Sequence, residues 1–152
     1  QDYIPLIIRN KFNVVENFCP SDKRVTEILS ETYGLLIYQE TFLHLSKEIA
    51  GISFSAAEVW RKKIMRDKSN TEAINFRPIF ANGCREHSAL NEIEIESLIN
   101  LITGMLRLTF QKAHSLSYSI VGYWGAYYKV HFRSQFDKAF SDCIRFQPFE
   151  LY

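Results

Sequence analysis

Apolar residues recur along this chain at the three- and four-residue spacing of helices, and capping residues stand where those stripes begin. The clearest stripe is "IEIESLINLITGMLRL", in which Ile95, Leu98, Ile99, Ile102, Met105 and Leu106 share one face, with Asn91 and Glu94 at capping-box spacing ahead of it. Ser55 and Glu58 repeat that spacing and predict a helix through "SFSAAEVWRKKIMRDK". Ser21 or Asp22 is placed to cap a helix through "KRVTEILSETYG". "LLIYQETFLHLSKEIA", apolar on nearly every side, predicts a buried helix that Gly51 ends. "DYIPLIIRNKF" contains Pro5 and reads as an extended lead-in or a first helical turn, followed by a loop through "NFCPSD". Pro78 and Gly83 mark a polar connection, and two more helices complete the chain, one opening with "FQKAHSLSYS" and one through "SQFDKAFSDCI". No internal repeat, low-complexity segment or domain boundary interrupts the pattern. The expected fold is all-α, a single compact helical domain over residues 1–152.

Composition agrees with one core. At 152 residues, 47% hydrophobic and 14% aromatic, the chain can bury a core without metals or disulfides. Cys19, Cys84 and Cys143 are odd in number and far apart, as in a reduced intracellular protein, and offer no zinc site. The net charge of +1 provides no general basic field, so nucleic-acid binding requires a local patch. No charged-then-apolar leader and no apolar run of membrane length occurs, which predicts a soluble, cytoplasmic protein with no membrane partner. A chain that opens on Gln1 and not Met fits an excised segment.

Chemistry is concentrated at two places. "RKKIMRDK" sets Arg61, Lys62, Lys63, Arg66 and Lys68 within eight residues that contain one acid. Such a run is commonly a solvated face, but Trp60 and Ile64 give the same helix a packed side, so the cations are held as polyphosphate binding requires. In "FQKAHSLSYS", helical spacing puts His114, Ser115 and Tyr118 on one face and turns Lys112 toward another side. A ligand lying along that face meets an imidazole, a hydroxyl and a phenol together. Without such a ligand, His114 and Tyr118 are satisfied residues at a packing boundary.

In that order and at those distances, "TYGLLIYQE", "AG", "RKKIMR", "FQKAHSLSYS" and "AYYKVHF" resemble the fingers region of the alpha subunit of bacterial DNA polymerase III, the C-family replicative polymerases. The likeness begins at "YIPLIIRNKF" and spans about residues 3–140, leaving 141–152 as a divergent tail. The resemblance implies a helical fold in which Arg61, Lys62, Arg66, Lys68 and Lys112 approach the triphosphate of an incoming deoxynucleotide. It places His114, Ser115 and Tyr118 beside the nascent base pair. The implied partners are a deoxynucleoside triphosphate, primer-template DNA, and a polymerase palm or other replisome proteins. Local departures occur: Lys62 stands where a second arginine is usual, Arg107 and Thr109 replace glycines, and Gln111 replaces an asparagine.

Polymerase chemistry of this kind needs clustered carboxylates on two magnesium ions. Asp2, Asp22, Asp67, Asp137 and Asp142 are widely spaced, so the chain is expected to have no catalytic residues and to bind no cofactor itself, magnesium entering only with an upstream palm. Glu92, Glu94 and Glu96 read as acids of a first helical turn and not as a metal cluster. Cys84, Glu86 and His87 lie too close in sequence to serve as nucleophile, base and orienter. The alternative is a diverged stand-alone fingers derivative acting as a DNA-binding or protein-interaction module.

Overall fold

The computed structural model describes residues 4–12 and 20–146, and it is all-α. The helices among the described residues are α1 (Ile4–Phe12), α2 (Lys23–Leu29), α3 (Gln39–Glu48), α4 (Phe54–Arg66), α5 (Thr71–His87), α6 (Glu92–Met105), α7 (Lys112–His131) and α8 (Arg133–Phe146). Short 3-10 turns follow α2 at Ser30–Thr32 and α6 at Leu106–Leu108. Contacts gather the chain into two units, Gln1–Lys112 and Ala113–Tyr152.

In the first unit each helix contributes one apolar face to a common core. Phe42 of α3 packs on Phe76 of α5 at 5.6 Å between ring centroids, and Phe76 on Phe80 at 5.4 Å. Around them lie Val25 and Leu29 of α2, Ile64 of α4, and Ile95, Leu98, Ile99 and Ile102 of α6. The capping box of α6 forms as its sequence predicts: the Asn91 side chain accepts from the Glu94 amide at 3.0 Å, and Glu94 accepts from the Asn91 amide at 2.8 Å. Glu94 also accepts from the amide and the hydroxyl of Ser21, each at 2.8 Å, which ties this cap to the entry of α2.

Several boundaries differ from the sequence expectation, each for a physical reason. The lead-in is a full helix, because Pro5 falls in the first turn of α1, where a missing amide costs nothing. The expected helix over 35–50 begins only at Gln39. Tyr33 and Gly34 turn the chain with positive φ, and the next residues spend their backbone groups on Phe110: its amide donates to the Ile37 carbonyl at 3.2 Å, and its carbonyl accepts from Gln39 at 3.0 Å. Helix α4 is capped by Ser53, whose hydroxyl accepts from the Ala56 amide at 3.3 Å, so Ser55 lies inside the helix and not at its cap. The expected polar connection is instead α5, with both Pro78 and Gly83 within it. Of the expected loop through "NFCPSD", residues 17–19 lie outside the described residues.

Gly83 is set by packing. A Cβ there would stand 2.1 Å from the Ala50 carbonyl oxygen, so glycine lets α5 approach the end of α3. Gly51, at φ +65, turns the chain out of that same end beneath the His87 ring. The ends are joined by Asp22 and Arg24. Asp22, 7% exposed, accepts from the Arg24 fork at 2.6 and 3.0 Å and from the Ala89 amide at 3.2 Å. Arg24 in turn donates to the carbonyls of Glu48 and His87 at 2.6 and 2.8 Å.

The second unit is nearly one helix. Between α7 and α8 the Phe132 amide donates to Tyr128 and its carbonyl accepts from Phe136, carrying the helical pattern across the break. None of the described side chains from 113 to 144 is buried.

Substituting two helical glycines is expected to move stability in opposite directions. Gly83→Ala should lower it by about 2 kcal/mol or more through the clash with Ala50. Gly104→Ala, whose Cβ meets nothing within 4 Å in α6, should raise it by about 0.5–1 kcal/mol. Urea unfolding midpoints read both. Asp22 supplies a pH signature: the Arg24 hydrogen bonds hold its carboxyl down at about 2, below the ordinary Asp value of about 3.9. Its stabilisation is therefore complete above the unfolded value and is lost as pH falls through about 2. Asp22→Asn should flatten this acid limb in urea titrations repeated across pH.

Candidate functional site

The basic run lies along α4, whose other side enters the core through Ala57 and Ile64. Trp60 packs on Phe76 at 5.6 Å, and Lys63 lies over the Trp60 ring at 4.9 Å. The helix is thus fixed, and Lys63 with it.

The five cations are not equivalent. Arg61 has its side chain 11% exposed, and its fork closes on the Glu58 carboxylate with two bonds of 2.7 Å. Its remaining terminal nitrogen meets Met65 Sδ at 2.9 Å. Lys62 reaches the same carboxylate at 3.3 Å. The Arg61 hydrogen bonds draw the Glu58 carboxyl down to about 2 and raise the guanidinium in return. Arg66 and Lys68 are exposed, and among the described residues neither has an ion pair or side-chain hydrogen bond. Beside Arg66 opens a cleft lined by Lys63, Arg66, Asp67, Ser69, Thr71 and Glu72. The Asp67 carboxylate is occupied there, accepting from the Ser69 amide and hydroxyl and from the Glu72 amide, and these bonds lower its pKa.

Lys112 stands at the start of α7, bound to Glu31 at 2.6 Å and lying 5.7 Å from the Tyr38 ring centroid. The Glu31 hydrogen bond raises its pKa. Its amide donates to the Glu40 carboxylate at 3.1 and 3.2 Å, so Glu40 serves the N-terminus of α7 from a distant helix. Gln39 adds a bond from Nε2 to the Thr109 carbonyl at 3.3 Å, and Tyr38 meets Phe110 edge to face at 5.6 Å. Arg107, just before this turn, donates through Nε to the Ile64 carbonyl at 3.2 Å and through a terminal nitrogen to the Asp67 carbonyl.

In the second unit His114 and Tyr118 share a face as their spacing predicts, rings 4.4 Å apart, with Tyr118 68% exposed. Ser115 lies beside them, half-buried, its carbonyl accepting from the Ser119 hydroxyl at 2.8 Å. Sequence reasoning missed a second pair of the same spacing, Tyr127 and His131, also 4.4 Å apart. It also missed Glu58 as a partner of Arg61; the signal was an acid three residues ahead of an arginine, taken for a cap.

Among the described residues no group of three or more His, Cys, Asp or Glu is placed to hold a metal. Glu92 is engaged by Arg85, Glu94 by the capping box and Glu96 by Arg77. Asp2 and Cys19 lie outside the described residues. Cys84 is buried, and desolvation pushes its thiol up to about 12, so it is no nucleophile. No helix among the described residues is long and apolar enough to cross a membrane.

The chain belongs to the bacterial DNA polymerase III alpha subunit finger domain family, whose family model matches residues 1–88. Similar relatives extend the match beyond that stretch. The DNA polymerase III subunit alpha of Thermus aquaticus is 30% identical over 139 residues, 89% of this chain and 11% of the relative. Those of Mycobacterium leprae and Xylella fastidiosa are each 29% identical, covering 84% and 89% of this chain and 11% of the relative. The chain thus spans about a tenth of the length of these relatives.

Thiol labelling should separate the described cysteines. Exposed Cys143 is expected to react with a maleimide in the native protein, whereas Cys84 should label only on unfolding. Peptide mass mapping checks it, and native labelling of Cys84 would contradict its burial.

Proposed function

We propose that this chain is a fingers module of a C-family polymerase, which binds the triphosphate of an incoming deoxynucleotide and primer-template DNA in replication. In this reading Arg61, Lys62, Arg66, Lys68 and Lys112 serve the phosphates, and His114, Ser115 and Tyr118 line the base and sugar. The observation that carries it is the pair Arg66 and Lys68, exposed and without acidic partners among the described residues, at the end of a helix pinned by Trp60 and Ile64. Glu58 holds Arg61 and Lys62 ready in place, and a polyphosphate competes with that carboxylate for them. The module binds and does not catalyse, because its carboxylates are dispersed; magnesium belongs to a palm outside this chain. The same family reading makes a cytoplasmic replisome its setting.

A second reading, a protein-interaction module, is favoured by the exposed apolar side chains of α7, among them Leu116, Val121, Trp124 and Val130. Salt dependence distinguishes the two. Affinity for a fluorescent deoxynucleoside triphosphate and for a short primer-template should fall steeply with salt. Arg66→Ala with Lys68→Ala should reduce the logarithmic slope by about two, one per lost phosphate contact. Unchanged affinity and slope in that double variant would leave the cations as a solvated helix face and favour the interaction module. The same preparation, given magnesium, is expected to leave the primer unextended; extension above a contamination control would overturn the non-catalytic part.

A further inference from the structure

The last carbonyls of an α-helix have no partner within the helix and need one from elsewhere. In α4 the Asp67 amide closes onto Lys63 at 3.0 Å, and two of the carbonyls just beyond, Ile64 and Asp67, are taken by one side chain, Arg107. These acceptors lie on either side of Arg66 and immediately before Lys68, the cations without acidic partners. The guanidinium also sets a positive charge at the negative end of the helix dipole.

Arg107 is itself rigidly based. It belongs to the 3-10 turn Leu106–Leu108, between the buried residues Leu106 and Thr109. The Thr109 hydroxyl donates to the Leu106 carbonyl at 2.6 Å, and Phe110 then joins Ile37 and Gln39. A stiff turn therefore holds the end of the cationic helix.

We infer that Arg107 is a positioning residue, which fixes the α4 terminus so that Arg66 and Lys68 present their charges to one polyphosphate. The inference rests on the phosphate-binding reading above. Arg107 acts through the helix end: its Nε and one terminal nitrogen are spent on carbonyls, and the phosphate contacts are assigned to Arg66 and Lys68.

The test uses the full chain and a fluorescent deoxynucleoside triphosphate titrated at several salt concentrations. Arg107→Ala should weaken binding about tenfold and leave the salt slope at the wild-type value. Arg107→Lys, which keeps the charge but offers a single point donor, should recover part of the loss. In a background of Arg66→Ala with Lys68→Ala, adding Arg107→Ala should cost nothing further, because positioning has nothing left to position. If Arg107→Ala does not fold, judged by circular dichroism, Arg107→Lys carries the test: weaker binding at unchanged slope supports the inference. Wild-type affinity in the folded variant, a slope lowered by about one, or an additive loss in the double-variant background each overturns it. Wild-type protein that binds without salt sensitivity removes the phosphate reading and this inference together. Salt-sensitive wild-type binding untouched at Arg107 removes this inference alone.

Discussion

A carboxylate withdrawn from water must find its hydrogen bonds inside the protein, and Asp22 finds them where three helices terminate. It caps α2, takes the Ala89 amide beyond α5, and orients Arg24 so that the guanidinium reaches the last carbonyls of α3 and α5. With the ends apart, the Ala89 amide and the last carbonyls of α3 and α5 would be left to water. The clamp joins the ends of α3 and α5, whose close approach leaves no room for a Cβ at position 83. Phe42, Phe76 and Phe80 then fill the space that the two helices enclose.

The cationic helix takes its position from the same core. Trp60 rests on Phe76, so the face opposite the charges is set by the aromatic packing that the clamp organises. On the charged side two electrostatic regimes coexist. Arg61, with Lys62 at its side, is neutralised by Glu58 in a largely dry fork, while Arg66 and Lys68 keep their charge in water. The helix can thus hold its cations with less mutual repulsion, because Glu58, one turn ahead of the run, screens the first two.

Local chemistry was legible in the sequence, and long-range chemistry was not. The α6 capping box and the His114 and Tyr118 face involve partners three or four residues apart, so spacing alone placed them. Helix α5 was hidden because Pro78 and Gly83 argue locally for a break, while the reason for Gly83 is a carbonyl on another helix, at Ala50. The false start of α3 has the same origin, since Ile37 and Gln39 answer to Phe110. At the candidate site the crowding of cations was plain. Their division into paired and unpaired groups depended on the side-chain geometry of Glu58, and the partners of Arg107 lie 43 and 40 residues away.

The single parallel bridge between Tyr38 and Phe110 has a kinetic meaning. It closes a chain loop of more than seventy residues with two backbone hydrogen bonds and an edge-to-face aromatic contact, beside the Gln39 bond to Thr109 and the ties of Glu31 and Glu40 to Lys112. These contacts must meet the entropy of closing so long a loop, a cost that falls when the chain between is already folded. The topology therefore favours closing the bridge, at the 106–111 turn, after the intervening helices have drawn the two stretches of backbone together. A nascent chain emerging from the ribosome would carry α2 to α5 for some time before this turn could lock, with Leu36 and Ile37 the apolar surface left waiting for it.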